Sequence, residues 1–221
     1  MPSPPPVLWI GNRNYSSWSL RAWLALRFMG LEFDVERLSL DTPEFERRIR
    51  ALPVAGRVPV LQIGGHWVWD SLAICECVAE SASRGGWPEE TGLRTHARSA
   101  VAEMHSGFPA LRAAMPMNIR ARRRIEADPS AGQDVERMIG LWCEALSLHD
   151  GAAGWLYGER GIADAFFAPV VLRFLTYGVP MPELCRPWLD RLLEDPDLKA
   201  WCDAALAETE VVDADEAGTP V

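Results

Sequence analysis

The sequence predicts an α/β domain over residues 1–82, of element order β-α-β-α-β-β-α, joined through residues 83–92 to an all-helical domain over residues 93–208. Three observations predict it. In the first part, short apolar runs bounded by turn residues alternate with helical patterns. A cluster of chain breakers, Ser83-Arg84-Gly85-Gly86-Trp87-Pro88, then interrupts the chain. Beyond it the apolar residues recur at helical spacing.

The first strand is Val7-Leu8-Trp9-Ile10, ended by the turn cluster Gly11-Asn12-Arg13-Asn14. Tyr15-Ser16-Ser17-Trp18 leads into a helix whose Leu20, Trp23, Leu24 and Phe28 share one face and which Gly30 closes. Two hydroxyls therefore stand at a helix entrance. Free N–H groups and the helix dipole favour an anion there, while serine is also a preferred N-cap. Phe33 and Val35 alternate with charged residues, which predicts a second strand within residues 32–40. Asp41-Thr42-Pro43 opens a short piece carrying Arg47, Arg48 and Arg50, read either as a solvated face or as an anchor for a carboxylate.

Val58 to Ile63 reads as a strand, Gly64-Gly65 as a hairpin turn, and His66-Trp67-Val68-Trp69 as the return strand. Pro59 removes a ladder donor, and a cis Val58–Pro59 bond would bend the chain and free the Val58 backbone for another partner. Asp70-Ser71 opens the next helix, apolar at Leu72, Ile74, Cys75 and Val78. This second hydroxyl-bearing entrance is either a cap or a site for a ligand with both a carboxylate, for Ser71 and the helix N–H groups, and an ammonium, for Asp70.

In the second part, one long helix is expected from about Arg94 to Ala114, with Val101, Met104, Phe108 and Leu111 near one face and a kink at Pro109. Another starts at Ala127 to Ser130 and carries Val135, Met138, Ile139, Trp142 and Leu146 at 3.6-residue spacing. Later helices contain Trp188, Leu189, Leu192 and Leu193, and then Asp197 to Ala207. The basic run Arg120 to Arg124 is read as a solvated connection, and residues 209–221 as a disordered acidic tail.

The bulk properties narrow the classes. The 221 residues carry a net charge of −9 and a pI near 5.0, which argues against a nucleic-acid binder. At 48% apolar residues there is ample material for a core. No apolar run is long enough to span a membrane. Met1 to Pro6 lacks the charged start and apolar stretch of a signal peptide. The five cysteines form neither a CxxC pair nor a metal-ligand spacing. The expectation is a cytoplasmic protein with no metal, no membrane association and no nucleic-acid partner.

Ser16-Ser17-Trp18-Ser19-Leu20-Arg21, Arg57-Val58-Pro59-Val60-Leu61 and Asp70-Ser71-Leu72-Ala73-Ile74, in that order, resemble the cytosolic glutathione transferases. The serine pair followed by an arginine looks most like serine-type, zeta-like bacterial members, with Trp18 where the zeta class has cysteine. The resemblance implies a thioredoxin-like first domain, the glutathione transferase architecture, glutathione as co-substrate and a homodimer. It implies that Ser16 or Ser17, counted back from Arg21, donates a hydrogen bond to the glutathione thiolate. The zeta-like alignment puts Ser16 first. Arg57, Val58, Pro59, Asp70 and Ser71 are the implied glutathione-binding residues, with the Val58 backbone pairing with the peptide. Tyr15, Trp18, Met104, His105, Phe108, Met115, Met117 and Asn118 are the candidate lining of a second-substrate pocket, His105 being either a packed side chain or a base.

In such transferases a buried helix opens with Ser or Thr, two residues, then Asp. Here Asp164 is present, read as structural, but Gly161 holds the cap position. The implied reaction is conjugation of glutathione to a small, apolar electrophile, in a detoxifying role. A thiol of pKa about 8.5 is mostly protonated at neutral pH, and lowering it by roughly two units requires about 2.7 kcal/mol of differential stabilisation. The alternatives are isomerisation of the maleylacetoacetate type, against which Trp18 argues, and a non-catalytic binding or dimerisation module. Disulfide reduction is disfavoured because the helix entrance has no cysteine.

Overall fold

A computed structural model describes residues 4–54, 56–149 and 154–221; the first three residues of the amino-terminal stretch weighed above lie outside them. The first part follows the predicted order. Strands β1 (Val7–Ile10), β2 (Asp34–Arg37), β3 (Val60–Ile63) and β4 (His66–Trp69) form one sheet in the order β2-β1-β3-β4. β1 runs parallel to β2, with Leu8 opposite Val35, and antiparallel to β3, with Leu8 opposite Leu61. Helices α1 (Ser17–Phe28), α2 (Pro43–Arg50) and α3 (Ser71–Ala79) complete a thioredoxin-like domain. The Val58–Pro59 bond is cis, as expected.

The α1 stripe reads correctly but incompletely. Leu20, Leu24 and Phe28 are buried, and so are Ser17, Ser19, Arg21, Ala22, Ala25 and Leu26, because α1 packs on α3 and on a helix of the second domain. The α2 arginines belong to a solvated face. Arg47 and Arg50 pair with Glu44 and Glu46, while Arg48 lies over the Trp9 ring and reaches Glu36 at 3.0 Å.

The second domain comprises α4 (Thr91–Ser106), α5 (Pro109–Ala114), α6 (Pro129–Ser147), α7 (Ile162–Tyr177), α8 (Arg186–Leu193) and α9 (Pro196–Leu206). The long helix expected over 94–114 is broken rather than kinked. Pro109 drives the residue before it out of the right-handed helical region, and Phe108 sits at φ 63°, ψ 45°. Arg112 repairs the break by donating to the carbonyls of Met104 and Gly107. α7 is buried almost throughout. Trp142 of α6 packs against Phe167 and Phe174 of α7 and Trp188 of α8.

The Gly161 cap has a steric cause. Its extended backbone leaves no room for a side chain, since a Cβ there would lie 2.5 Å from the Gly86 carbonyl oxygen. The linker runs against the start of α7, and Ile162 N donates to that same oxygen at 3.1 Å. Asp164 accepts hydrogen bonds from Gly161 N at 2.9 Å, Leu156 N at 3.0 Å and Trp188 Nε1 at 2.8 Å, which makes it a structural residue.

The C-terminal segment departs from expectation. Residues 208–221 are tied down although many are exposed, and the reason is charge complementarity with the basic run read as solvated. Arg120 donates to the Glu208 and Glu210 carbonyls, Arg123 pairs with Glu216, and β5 (Arg123–Arg124) pairs antiparallel with β6 (Thr219–Pro220). Glu208 accepts from Arg13 N and Asn14 N, so the segment straps the loop ahead of α1.

Candidate functional site

Two adjoining recesses share Trp18, Arg57 and Val58. The first, of about 290 Å³, is completed by Pro59, Trp69, Asp70 and Ser71. The five residues expected to bind the peptide thus line one cleft. The β3–β4 hairpin brings Arg57–Pro59 beside the start of α3. Asp70, at φ 71°, is the N-cap of α3; its carboxylate accepts from Leu72 N at 2.8 Å and Ala73 N at 3.3 Å. Its second oxygen lies 3.2 Å from His105 Nε2. Ser71 is fully buried and its hydroxyl has no hydrogen-bond partner. An orphaned donor in a cleft that also offers a carboxylate and an arginine fits a zwitterionic peptide end.

The second recess, of about 390 Å³, is lined by Tyr15, Ser16, Ser17, Arg112, Arg173 and Asp215 among others. Its serines differ. Ser16 is the N-cap of α1, its hydroxyl 2.7 Å from that of Ser19, which itself accepts from Gly11 N at 3.0 Å. The Ser17 hydroxyl accepts from Arg173 Nη2 at 3.0 Å. A guanidinium cannot accept a hydrogen bond, so the Ser17 proton is free to point into the recess.

Three arginines gather near one another, two of them against the Trp18 ring. The Arg21 guanidinium is fully buried, 4.2 Å from the Trp18 ring centroid, with Nε and Nη1 unpartnered. Burial, then the neighbouring Arg112 and Arg173, hold its pKa well below the usual range. Burial and Arg112 likewise bring Arg173 down to about 10. Arg112 lies 5.2 Å from the Trp18 ring centroid.

The expected apolar lining is corrected. Met104 and Met117 are core residues, Phe108 and Met115 are buried, and Asn118 is held between Asn14 and Glu216. These sulfur and aromatic residues are packed inward, α4 against α6 and α7 and α5 against α6. Tyr15 does line the recess, and its hydroxyl bonds to Glu216 at 2.6 Å and Arg120 at 2.9 Å. His105 packs edge-on against Trp18 and faces Asp70, with burial lowering its pKa against the pull of that carboxylate. Arg112 and Arg173 were missed. The one available signal was Arg173, a cation among the otherwise apolar residues 165–175.

The five cysteines are all free, and burial pushes the Cys75 and Cys185 thiols up. Among the described residues no helix is long and apolar enough to cross a membrane.

Residues 15–81 match the family described as "Glutathione S-transferase, N-terminal domain". A "Probable maleylacetoacetate isomerase" of Caenorhabditis elegans is 28% identical over 107 residues, 48% of this chain, and the match spans about half, 49%, of that relative's length. Among solved structures, a glutathione transferase homolog from Burkholderia gl BGR1 with bound glutathione superposes with a TM-score of 0.68 at 22% identity, covering 91% of this chain and 98% of the other. A theta class glutathione S-transferase from Xanthomonas axonopodis pv. citri, also with glutathione bound, gives 0.66 at 21% identity, covering 93% and 100%. The chain as a whole therefore has the glutathione transferase fold, and residues 15–81 are similar to the N-terminal domain of that family.

Proposed function

We propose that this protein binds glutathione in the first recess and transfers it, as the thiolate, to a small electrophile in the second. The single observation that carries the reading is the convergence of Arg57, Val58, Pro59, Asp70 and the orphaned Ser71 hydroxyl on one cleft that opens beside Ser17. Asp70 holds the ammonium and Ser71 with the α3 N–H groups the carboxylate of the γ-glutamyl end. The Val58 backbone, outside the β3–β4 ladder, pairs with the cysteinyl main chain. Arg57 reaches the glycyl carboxylate.

Ser17 donates its proton in a hydrogen bond to the thiolate and keeps it throughout, while Ser16 caps α1. The thiol proton passes to water. Sulfur then forms a bond to the electrophilic carbon, and the displaced group leaves with its bonding pair. Arg173, bonded to the Ser17 oxygen, positions that hydroxyl and adds positive potential. A charge-assisted hydrogen bond of about 1.5–3 kcal/mol lowers the thiol pKa by roughly one to two units. Cytoplasmic location and a homodimer belong to the same reading; a hydrodynamic mass of one chain would remove the latter.

The test is thiolate absorbance of bound glutathione against pH. Ser17→Ala is expected to raise the thiol pKa by about one unit and Ser16→Ala to weaken chiefly α1, by about 1 kcal/mol. Titrations unchanged in both variants would reject the serine mechanism. A second reading, glutathione-dependent isomerisation, is favoured by the 28% identical relative and is separated by product analysis, since it returns glutathione unconsumed.

A further inference from the structure

We propose that Cys143 and Cys185 form a reversible oxidation site, in which a peroxide converts the two thiols into a disulfide that staples α6 to the start of α8.

The two residues are 42 positions apart and meet only through the tertiary fold. Cys143 lies near the end of α6. Cys185 ends a short 3-10 turn, Glu183–Cys185, and immediately precedes α8. Their sulfurs are 3.9 Å apart. A disulfide bond is about 2.05 Å long, so roughly 2 Å of approach separates the pair from a bond. Among the described residues no other two cysteine sulfurs lie within hydrogen-bonding distance.

The surroundings hold the pair together. Trp142 precedes Cys143 and Trp188 follows Cys185 by one helical turn. Both indoles are fully buried, with ring centroids 5.1 Å apart. Trp188 is anchored in turn by its Nε1 bond to Asp164. The two sulfurs cannot drift apart without opening the packed core of the second domain. The bridge would close a loop that contains all of α7, the helix that sets Arg173 against Ser17.

The thiols are unequal, and the inequality assigns their parts. Cys143 is half-buried and Cys185 is fully buried. Burial, and then the neighbouring Cys143, push the Cys185 thiol up, so it stays protonated and out of reach of solvent. The oxidant therefore meets Cys143 first. The Cys143 thiolate attacks one oxygen of hydrogen peroxide, and the O–O bond breaks. The other oxygen takes up the proton that Cys143 gave away and leaves as water, while Cys143 becomes a sulfenic acid. The Cys185 sulfur then attacks the sulfenic sulfur. The S–S bond forms, the S–O bond breaks, and hydroxide leaves with the Cys185 proton as a second water. The two thiols give up two electrons and two protons, and the peroxide is reduced to water. A dithiol returns the electrons by exchange.

The experiment treats the reduced full chain with excess hydrogen peroxide, traps the remaining thiols with N-ethylmaleimide in denaturant, and maps tryptic peptides by mass. Trypsin separates Cys143 from Cys185. The expected result is a cross-link between those two residues within one chain, reversed by dithiothreitol. The Tm of the oxidised protein should rise by about 5 °C or more, because closing the loop restricts the unfolded chain. Cys143→Ser and Cys185→Ser should each abolish the cross-link and the rise. Cys77→Ser, at an exposed position, should leave both unchanged. The wild-type map decides the matter even if Cys185→Ser fails to fold. Both thiols left intact, sulfinic acid at Cys143 with Cys185 still alkylated, or bridges only through Cys77 or Cys202 would each overturn the proposal. So would a cross-linked protein that melts no higher than the reduced one.

Discussion

Helix α7 carries two buried charged side chains, Asp164 in its first turn and Arg173 in its last half, and the fold treats them differently. Asp164 receives three strong donors, from Leu156, Gly161 and Trp188. Arg173 donates to a hydroxyl and a carbonyl and makes no ion-pair contact with a carboxylate among the described residues, and it lies near Arg21, whose Nε and Nη1 are buried and unpartnered, as is the Ser71 hydroxyl in the adjoining recess. A charge that is fully hydrogen-bonded within the chain holds the chain together. A group of polar atoms left unmatched within the chain costs stability and marks where a ligand's atoms complete the set.

The largest effect that would break this comparison is in stability. Asp164→Ala strands three buried donors and is expected to cost about 3–5 kcal/mol in denaturant unfolding; a loss under about 1 kcal/mol would remove the distinction. Next in size is a pH effect. Burial pushes the Asp164 carboxyl up from 3.8 to about 6. Between those values the native state keeps a proton that the unfolded chain releases, so a stabilising contribution present below pH 4 is lost as pH rises through 6. The loss is roughly 3 kcal/mol. It should appear as a difference between wild type and Asp164→Asn in unfolding measured across that window, and parallel curves would contradict it.

The unmatched region predicts the reverse pattern. Ser71→Ala should lower glutathione affinity about five- to tenfold, as read by calorimetry, yet leave unfolding within about 0.5 kcal/mol of wild type, because no partner inside the protein is lost. A large loss of stability with unchanged binding would place Ser71 with Asp164. The smallest effect belongs to the strap. Glu210 is partly exposed and pairs with Arg37 at 2.7 Å. Glu210→Gln should cost no more than about 0.5 kcal/mol, and hydrogen exchange of residues 208–221 would reveal any greater dependence.

Much of the first recess is readable along the chain because its residues are neighbours. Arg57, Val58 and Pro59 precede one strand, Asp70 and Ser71 follow the next, and a two-residue hairpin brings them together. The second recess is assembled from distant segments: Ser17 meets Arg173 and Tyr15 meets Glu216. Periodicity marks Met104 and Met117 as apolar helix positions, which they are, but it is silent on which side of the helix faces the cleft. The charged tail reads as disordered by composition, because the arginines that hold it are 88 or more positions earlier.

By itself the sequence determined the element order of the first domain and the helix entrances with their serines and aspartate, since each depends on turn chemistry and spacing among residues close in the chain. Tertiary structure alone decided that the second recess is cationic, that Asp215 faces it, and that Gly161 must lack a side chain. Those outcomes depend on how α1, α4 and α7 rotate against one another, and local propensity carries no information about that rotation.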